Sequence, residues 1–257
     1  MNALFGEDLI VPIIGGRAHN LAEIQAIGQL GYSYAEISLD EPEQVEADLG
    51  QLLGLKEEYG ITYLAHFPNE GNPLNLANLT GNFLPKMNRL FQLSAGLGIA
   101  KGTFHFWIDG RRIAADVVRQ KIELIADLTA SAKRLGIVLC LENLSETCND
   151  FLPAFERVPD LMMTLDIGHA ELLTKVNTSF GFISDCFSRI AHLHVHDNRG
   201  GTSVKDDLHL PLGEGIVDYP GILTRLQKKA YASTITMEVK IPEMAGTRDE
   251  IMKYMDH

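Results

Sequence analysis

Histidines and carboxylates recur at one kind of position in this chain, at the ends of short apolar runs. Imidazole and carboxylate groups are the ligands that zinc and other first-row divalent ions accept in proteins. A charge buried in such a run would cost several kcal/mol unless it were paired or bound to a metal. Seven residues share this position: His66, His105, Glu142, Asp166, His169, His194 and Glu238.

The apolar runs predict the elements that would position these side chains. The run Ile137-Val138-Leu139-Cys140-Leu141 is nearly continuous, which is typical of a parallel strand buried on both faces. Eight strands of this kind are predicted, at residues 9–14, 34–38, 61–67, 101–106, 136–143, 161–169, 190–198 and 234–239.

Amphipathic helices separate the predicted strands. Apolar residues recur near a helical period in two long segments. They are Phe83, Met87, Leu90, Phe91 and Leu97 in one segment, and Val118, Ile122, Ile125 and Ala132 in the other. Both segments run into Leu-Gly, at Gly98 and Gly136, where glycine allows the left-handed conformation that ends a helix.

Eight alternations of strand and helix predict an α/β chain folded as one (β/α)8 TIM barrel, a single domain over residues 1–257. An open doubly wound sheet is the alternative. It is disfavoured because no Gly-rich dinucleotide fingerprint follows the first predicted strand, and Gly15-Gly16 is interpreted as a tight turn. In a barrel, the strand ends converge at the C-terminal face, so the polar residues there predict a divalent-metal centre.

The seventh predicted strand carries His192, His194 and His196 at a period of two, so all three face the same side. They rise by about 6–7 Å for each pair of residues and cannot all bind one ion. We expect one of them to be a ligand and the others to pack or form hydrogen bonds.

Composition limits the compartment and the partners. The formal net charge of −12 favours solubility and argues against broad contact with nucleic-acid phosphates. Cys140, Cys148 and Cys186 lack paired metal-finger spacing and predict a reducing compartment with no disulfide framework. No basic leader precedes the first apolar run and no run is long enough to span a bilayer. We therefore expect a cytoplasmic protein without membrane contact.

Four motifs occur in an order that is specific to one superfamily. From about residue 34 to residue 239, the sequence resembles the xylose isomerase-like barrels, which include sugar isomerases, epimerases and family 2 AP endonucleases of the endonuclease IV type. The motifs are Leu141-Glu142-Asn143, Leu165-Asp166-Ile167-Gly168-His169, His194-Val195-His196-Asp197-Asn198 and Asp207-Leu208-His209-Leu210-Pro211-Leu212-Gly213-Glu214-Gly215.

Similarity to endonuclease IV implies a phosphoester hydrolase with two or three divalent ions per chain, zinc first and manganese as an alternative. The ions would lower the pKa of a bridging water and neutralise the leaving oxygen. The implied substrate is a small phosphorylated sugar, a nucleotide or damaged DNA. The implied ligands are His66, His105 and a bridging Glu142 for the first ion, Asp166, His194 and Glu238 for the second, and His169, Asp207 and His209 for the third.

Similarity to the sugar isomerases, epimerases and dehydratases implies a single ion instead. Glu142, Asp166, His194 and Glu238 would hold it, His169 would contact the substrate, and the two glutamates would carry protons. In both interpretations Glu142, Glu238 and His169 are the candidate catalytic residues. His66, His105, Asp207 and His209 are surplus to a single-ion site and favour the multinuclear hypothesis. A barrel that binds metal or sugar without catalysis is a third possibility.

The loops at the same face bear on the substrate. Asp40-Glu41-Pro42-Glu43 stands where a DNA-reading loop should supply basic or stacking residues, and it is interpreted as a solvated acidic helix start. Trp107, His196 and Arg199 are the candidate substrate-binding residues, with Trp107 able to stack on a base or a sugar ring. Arg111, Arg112 and Lys205 could meet a phosphate or be ordinary surface charges.

Overall fold

Eight parallel strands close into a barrel in chain order, which confirms the predicted (β/α)8 fold. The structure is a computed structural model that describes residues 12–255. The strands are β1 Ile13–Ala18, β2 Tyr34–Ser38, β3 Thr62–His66, β4 Lys101–His105, β5 Val138–Glu142, β6 Met162–Asp166, β7 Ile190–Val195 and β8 Thr234–Met237. The helices are α1 Leu21–Gln29, α2 Pro42–Tyr59, α3 Leu76–Asn78, α4 Leu84–Gly96, α5 Ala115–Arg134, α6 Cys148–Arg157, α7 Ser179–Asp185, α8 Tyr219–Lys228 and α9 Met244–Met255.

The two helical patterns in the sequence correspond to α4 and α5. Met87, Leu90 and Phe91 of α4 are buried, as are Ile122 and Ile125 of α5. Both connections after these helices use a left-handed glycine, with φ +72° at residue 98 and φ +77° at residue 136. The apolar faces of these helices pack on the outside of the barrel, and the buried residues form one continuous core.

Strand register sets several chemically capable residues level with one another. His66 pairs with the last residue of β2, His105 is opposite Glu142, and Asp166 is opposite His194. Since parallel strands of a barrel end at one face, these side chains share the C-terminal mouth.

The first strand differs from its prediction. It spans Ile13–Ala18, whereas residues 9–14 were predicted, and residues 9–11 lie outside the described part of the chain. Gly15 and Gly16 lie inside this strand and form no turn. A Cβ atom on Gly15 would stand 2.5 Å from the Tyr34 carbonyl oxygen, and one on Gly16 would stand 2.6 Å from the Met244 side chain. Close packing therefore accounts for glycine at both positions.

The cysteine prediction is wrong for two of the three residues. Cys148 and Cys186 form a disulfide that joins the first residue of α6 to the residue after α7, with their Cα atoms 6.4 Å apart. They are 38 residues apart in sequence, and only the packing of neighbouring helices around the barrel brings them together. Cys140 is free and buried. Within residues 12–255, no helix is long and apolar enough to cross a membrane.

Several polar side chains lie inside the barrel below the mouth. The Tyr34 and Thr236 hydroxyls are 3.1 Å apart, and the Thr103 and Thr164 hydroxyls are 2.8 Å apart. Lys101 Nζ donates to the Ala191 carbonyl oxygen at 2.7 Å. Each of these buried or half-buried polar groups has a partner, which removes most of the cost of desolvating it.

Candidate metal centre

Four residues that could bind one metal ion lie together at the mouth. Glu142, Asp166, His194 and Glu238 each offer a ligand atom, and these atoms all lie within 4.8 Å of one another. His194 Nδ1 stands 3.0 Å from Glu142 Oε1, 3.4 Å from Glu238 Oε1 and 3.8 Å from Asp166 Oδ2. Neighbouring ligands on a zinc ion, with bonds of about 2.0–2.2 Å, stand roughly 3–3.5 Å apart. The group is therefore compact enough to hold one divalent ion.

A second group shares Glu142. His105 Nε2 lies 2.6 Å from Glu142 Oε2, and His66 Nε2 lies 3.5 Å from the same oxygen. The two histidine rings meet edge to face with their centroids 5.1 Å apart. Because this pair faces Oε2 while His194 faces Oε1, the two oxygens of Glu142 point to different ligand groups.

A third group lies towards the loop that follows β7. His169 Nε2 and His209 Nε2 are each 3.0 Å from Asp207 Oδ2. His196 also offers a ligand atom to this group. His209 adopts the left-handed conformation, with φ +48°, and its neighbour Leu210 forms an antiparallel bridge with Asp197. That bridge brings the loop back across the mouth.

The electrostatics of the mouth fit a cation. Burial alone would raise the pKa of Glu142, but the imidazoles of His105 and His194 hold it well below its usual range. Burial is likewise outweighed at Glu238, where His194 is the largest opposing influence and brings the pKa to about 2. Conversely, burial would lower the pKa of His169, yet Asp166 and other carboxylates raise it well above its usual value. The same holds for His194, mainly through Glu238. Protonated imidazoles thus balance the carboxylates, and a divalent ion could take over that charge.

A cavity of about 480 Å³ opens beside these groups. Its lining includes the candidate ligands His105, His169 and Asp207, together with Trp107 and Leu172. Its size suits a small molecule, which buries most of its surface in such a cleft.

The three predicted substrate-binding residues have different surroundings. Trp107 lines the cavity, with its indole Nε1 donating to Ser145 Oγ at 2.8 Å. His196 is fully buried and does not line the cavity, and its Nε2 lies 3.1 Å from Asp166 Oδ2. Arg199 is exposed and donates to the Glu214 carbonyl oxygen at 3.4 Å, and it does not line the cavity. The structure therefore brings only Trp107 of the three to the cavity wall.

The loop after β2 has the predicted character. Pro42 is the first residue of α2, and Glu41 precedes it in an extended conformation. Lys86 Nζ pairs with Glu41 Oε1 at 2.6 Å on the surface. After β4, Arg111 and Arg112 are about half exposed, and both pair with the single buried carboxylate of Asp109.

Several charged residues near the mouth were missed by sequence reasoning. Glu36, in the middle of β2, is fully buried between His192 and His194. Arg17 Nε lies 3.3 Å from Glu238 Oε1 and supplies a fixed positive charge. Glu36 could have been found by the rule applied to the other carboxylates, since it interrupts an apolar strand. Arg17 could not, because the first strand was placed too early in the chain.

Comparisons with known proteins agree with the barrel. A family model described as xylose isomerase-like TIM barrel matches residues 24–256. An uncharacterized protein of Methanocaldococcus jannaschii, MJ1311, is 23% identical over 219 residues, which cover 79% of this chain and 72% of the relative. A D-tagatose 3-epimerase-like protein superposes with a TM-score of 0.81 at 20% identity, covering 95% of this chain and 97% of the other. D-psicose 3-epimerase, crystallised in the presence of D-fructose, gives a TM-score of 0.75 at 14% identity, with coverage of 95% and 99%.

Proposed function

Since this chain belongs to the xylose isomerase-like TIM-barrel family, we propose that it is a metal-dependent sugar or sugar-phosphate isomerase or epimerase. The observation that carries the proposal is the four-ligand group of Glu142, Asp166, His194 and Glu238 beside a cavity of small-molecule size. The epimerases to which the fold is similar support the same class of reaction. Zinc or manganese suits the donor set of three carboxylates and one imidazole.

The residues at the mouth would have separate roles in such a reaction. A divalent ion held by the four ligands would polarise a carbonyl or hydroxyl oxygen of the substrate. The pKa values of Glu142 and Glu238 both lie below the usual value, so both are ionised at neutral pH. One glutamate would take the proton from carbon, and the other would return a proton to the opposite face after taking it up from water. His169 lines the cavity, and its Nε2, which lies 3.0 Å from Asp207 Oδ2, would donate a hydrogen bond to a substrate oxygen that replaced this carboxylate.

The cavity wall favours a compact substrate. Trp107, Leu172 and Leu173 offer apolar surface on which one face of a sugar ring can rest. The acidic balance of the chain, with a formal net charge of −12, disfavours broad contact with a phosphate backbone. Damaged DNA is therefore not part of the proposal.

Phosphoester hydrolysis is the second candidate, and one specific observation favours it. His66 and His105 gather on Glu142, and His169 and His209 gather on Asp207, as two further ligand groups. A single-ion site does not require these residues. Two or three neighbouring ions could activate water and neutralise a leaving oxygen of a small phosphoester.

Metal content separates the two candidates. The protein is purified without chelator or histidine tag, and zinc and manganese are counted per chain by mass spectrometry. The isomerase proposal expects one equivalent, retained in His66→Ala/His105→Ala and in Asp207→Ala/His209→Ala. The hydrolase candidate expects two or three equivalents, and each double variant should lose about one. His19→Ala, an exposed histidine outside the three groups, is the matched control.

Turnover is followed with two probes. A panel of ketoses and their phosphates in D₂O tests for epimer formation with deuterium at the exchanged carbon, and bis(p-nitrophenyl) phosphate tests for hydrolysis. Glu142→Gln should abolish either activity, because it removes a charged ligand and a proton carrier. Phosphoester cleavage without carbon exchange, together with two or more ions, would reject the isomerase proposal. Substantial turnover in folded, metal-loaded Glu142→Gln would reject this position of the active centre.

A further inference from the structure

A buried carboxylate stands directly below the four-ligand group. Glu36 lies on β2 with its side chain fully buried inside the barrel. Its Oε2 is 2.8 Å from His192 Nε2, and both of its oxygens are 3.0 Å from His194 Nε2. Buried carboxylates need strong donors, and two imidazole N–H groups meet that need.

The two ring nitrogens of His194 face opposite sides. Nε2 points down to Glu36, while Nδ1 points up to Glu142 and Glu238. A histidine binds metal through a nitrogen that carries no proton, so Nδ1 can be a ligand only when the proton sits on Nε2. An ionised carboxylate beside Nε2 selects that tautomer because it can only accept a hydrogen bond.

We propose that Glu36 is the positioning residue that makes His194 an Nδ1 ligand, by fixing both its tautomer and the plane of its ring. The inference rests on the metal-binding part of the proposed function, namely one ion at the four-ligand group. It holds for the isomerase and for the hydrolase candidate alike, since both use that ion.

His192 supports Glu36 from the side away from the mouth. It shares Oε2 of the carboxylate through Nε2, and its Nδ1 lies 2.6 Å from the Thr234 hydroxyl. That hydroxyl in turn is 2.9 Å from Lys101 Nζ. The column from Lys101 through Thr234 and His192 therefore holds the carboxylate in one place under His194. Lys101 also brings a positive charge to the floor of the barrel.

The geometry offers one competing arrangement. Glu36, His192 and His194 also offer ligand atoms close enough to hold an ion of their own inside the barrel. His194 would then use Nε2 as the ligand and would carry its proton on Nδ1. A neutral imidazole cannot serve both places, so an interior ion would remove His194 from the four-ligand group. The number of ions and the liganding nitrogen distinguish the two arrangements.

The test measures metal affinity and needs no substrate. Zinc affinity of Glu36→Gln is compared with that of the natural chain by competition with a chromophoric chelator. Loss of such a supporting partner should weaken the affinity by about 10- to 100-fold while the stoichiometry stays the same. Tyr63→Phe is the matched control, because it removes a buried hydrogen bond from the neighbouring strand β3, to the Leu52 carbonyl oxygen, and Tyr63 is bonded neither to Glu36 nor to the two histidines beside it. Its zinc affinity should equal that of the natural chain.

A double-mutant cycle with His194→Ala shows whether Glu36 acts through that histidine. In the His194→Ala background, Glu36→Gln should cost nothing further, whereas independent effects would add. Carbon and nitrogen chemical shifts of labelled histidine in the zinc protein should report an Nδ1 ligand in the natural chain. If Glu36→Gln fails to fold by circular dichroism, Glu36→Asp replaces it, since it keeps the charge but draws the oxygens back from Nε2.

The outcomes are separable from those of the proposed function. A natural chain that binds no zinc would refute the metal centre itself. A natural chain that binds zinc with a folded Glu36→Gln variant of equal affinity would refute only the role of Glu36. Loss of one whole equivalent with the remaining affinity unchanged would also refute it, in favour of the interior ion. Additive effects in the cycle, or an Nε2 ligand by chemical shift, would overturn it as well.

Discussion

Lys121 is a charged residue of α5 whose side chain is completely buried. Its Nζ lies 2.7 Å from Glu70 Oε2 and 4.5 Å from the centre of the Phe106 ring. Glu70 also accepts a hydrogen bond from the Trp107 backbone N–H at 2.7 Å. The ion pair therefore supports the loop that carries a wall of the cavity, and Lys121→Met tests how much the fold depends on it.

The size of the effect follows from burial. Methionine fills most of the volume of the lysine stem but leaves Glu70 with a single strong donor, the Trp107 N–H. Breaking a buried ion pair by removing one partner costs about 3–5 kcal/mol. For a domain with a stability of about 5–15 kcal/mol, such a loss is large. Lys133→Met is the matched control on the same helix, because its pair with Asp160 is exposed and should contribute about 1 kcal/mol at most.

The cost should depend on pH, because Glu70 can escape it by taking up a proton. Burial already raises the pKa of Glu70 and Lys121 is the largest opposing influence, so the variant should raise that pKa further. A carboxyl whose pKa is higher in the folded than in the unfolded chain holds its proton longer in the folded chain. Stability then falls as pH rises between the two pKa values. Lys121→Met should therefore cost less at pH 5 than at pH 8.

Urea denaturation of the protein with its disulfide intact measures these differences as shifts in midpoint at constant slope. Lys121→Met/Glu70→Gln should recover most of the loss, since glutamine keeps an acceptor for the Trp107 N–H and carries no charge. A loss below 1 kcal/mol at pH 8, a cost independent of pH, or a double variant no better than the single one would refute the reasoning.

Two further predictions concern a second buried carboxyl and nucleic acid. Burial raises the pKa of Glu146 to about 7, although the backbone N–H groups of Ile108 and Leu144 donate hydrogen bonds that lower it. The folded chain therefore holds this proton longer than the unfolded chain, and the natural chain should lose stability between about pH 4.5 and pH 7. Relative to it, Glu146→Gln should gain about 3 kcal/mol over that window in urea denaturation, and a constant difference between the two chains would contradict this. Undamaged duplex DNA should bind weakly in fluorescence anisotropy because the net charge is −12, and a tight complex that salt disrupts steeply would show otherwise.

The sequence predicted the barrel, and it predicted that most of the candidate ligands lie at the strand ends, because both depend on local patterns. A buried parallel strand is a continuous apolar run, and a polar residue at its end must lie at the mouth, which locates His105, Glu142 and Asp166. Asp207 and His209 lie on a loop after β7, where no periodicity applies. Only their resemblance to a known motif pointed to them.

The errors share a different cause, since each depends on packing between distant segments. The disulfide between Cys148 and Cys186 needs two helices to meet, and the glycines of β1 need Tyr34 and Met244 against them. Arg199 follows the β7 motif closely in sequence, yet its side chain turns outward to the Glu214 carbonyl. The direction in which a loop side chain points is set by tertiary contacts, and the spacing of residues in the sequence does not predict it.

Glu142 has a different role in each candidate function, and it cannot fill both roles at once. Its Oε1 faces His194, and its Oε2 faces His105 at 2.6 Å. If only the four-ligand group is filled, Oε2 carries no metal and would accept a proton from carbon, as an isomerase requires, by giving up its hydrogen bond with His105. If His66 and His105 also hold an ion, both oxygens are engaged and Glu142 becomes a bridging ligand with little basicity left. The same reasoning applies to His169, which can either donate to a substrate or bind an ion beside Asp207. Whether the second and third groups also hold ions therefore decides which of the two reactions this site can catalyse. For that reason, metal content is more informative than turnover of any single substrate.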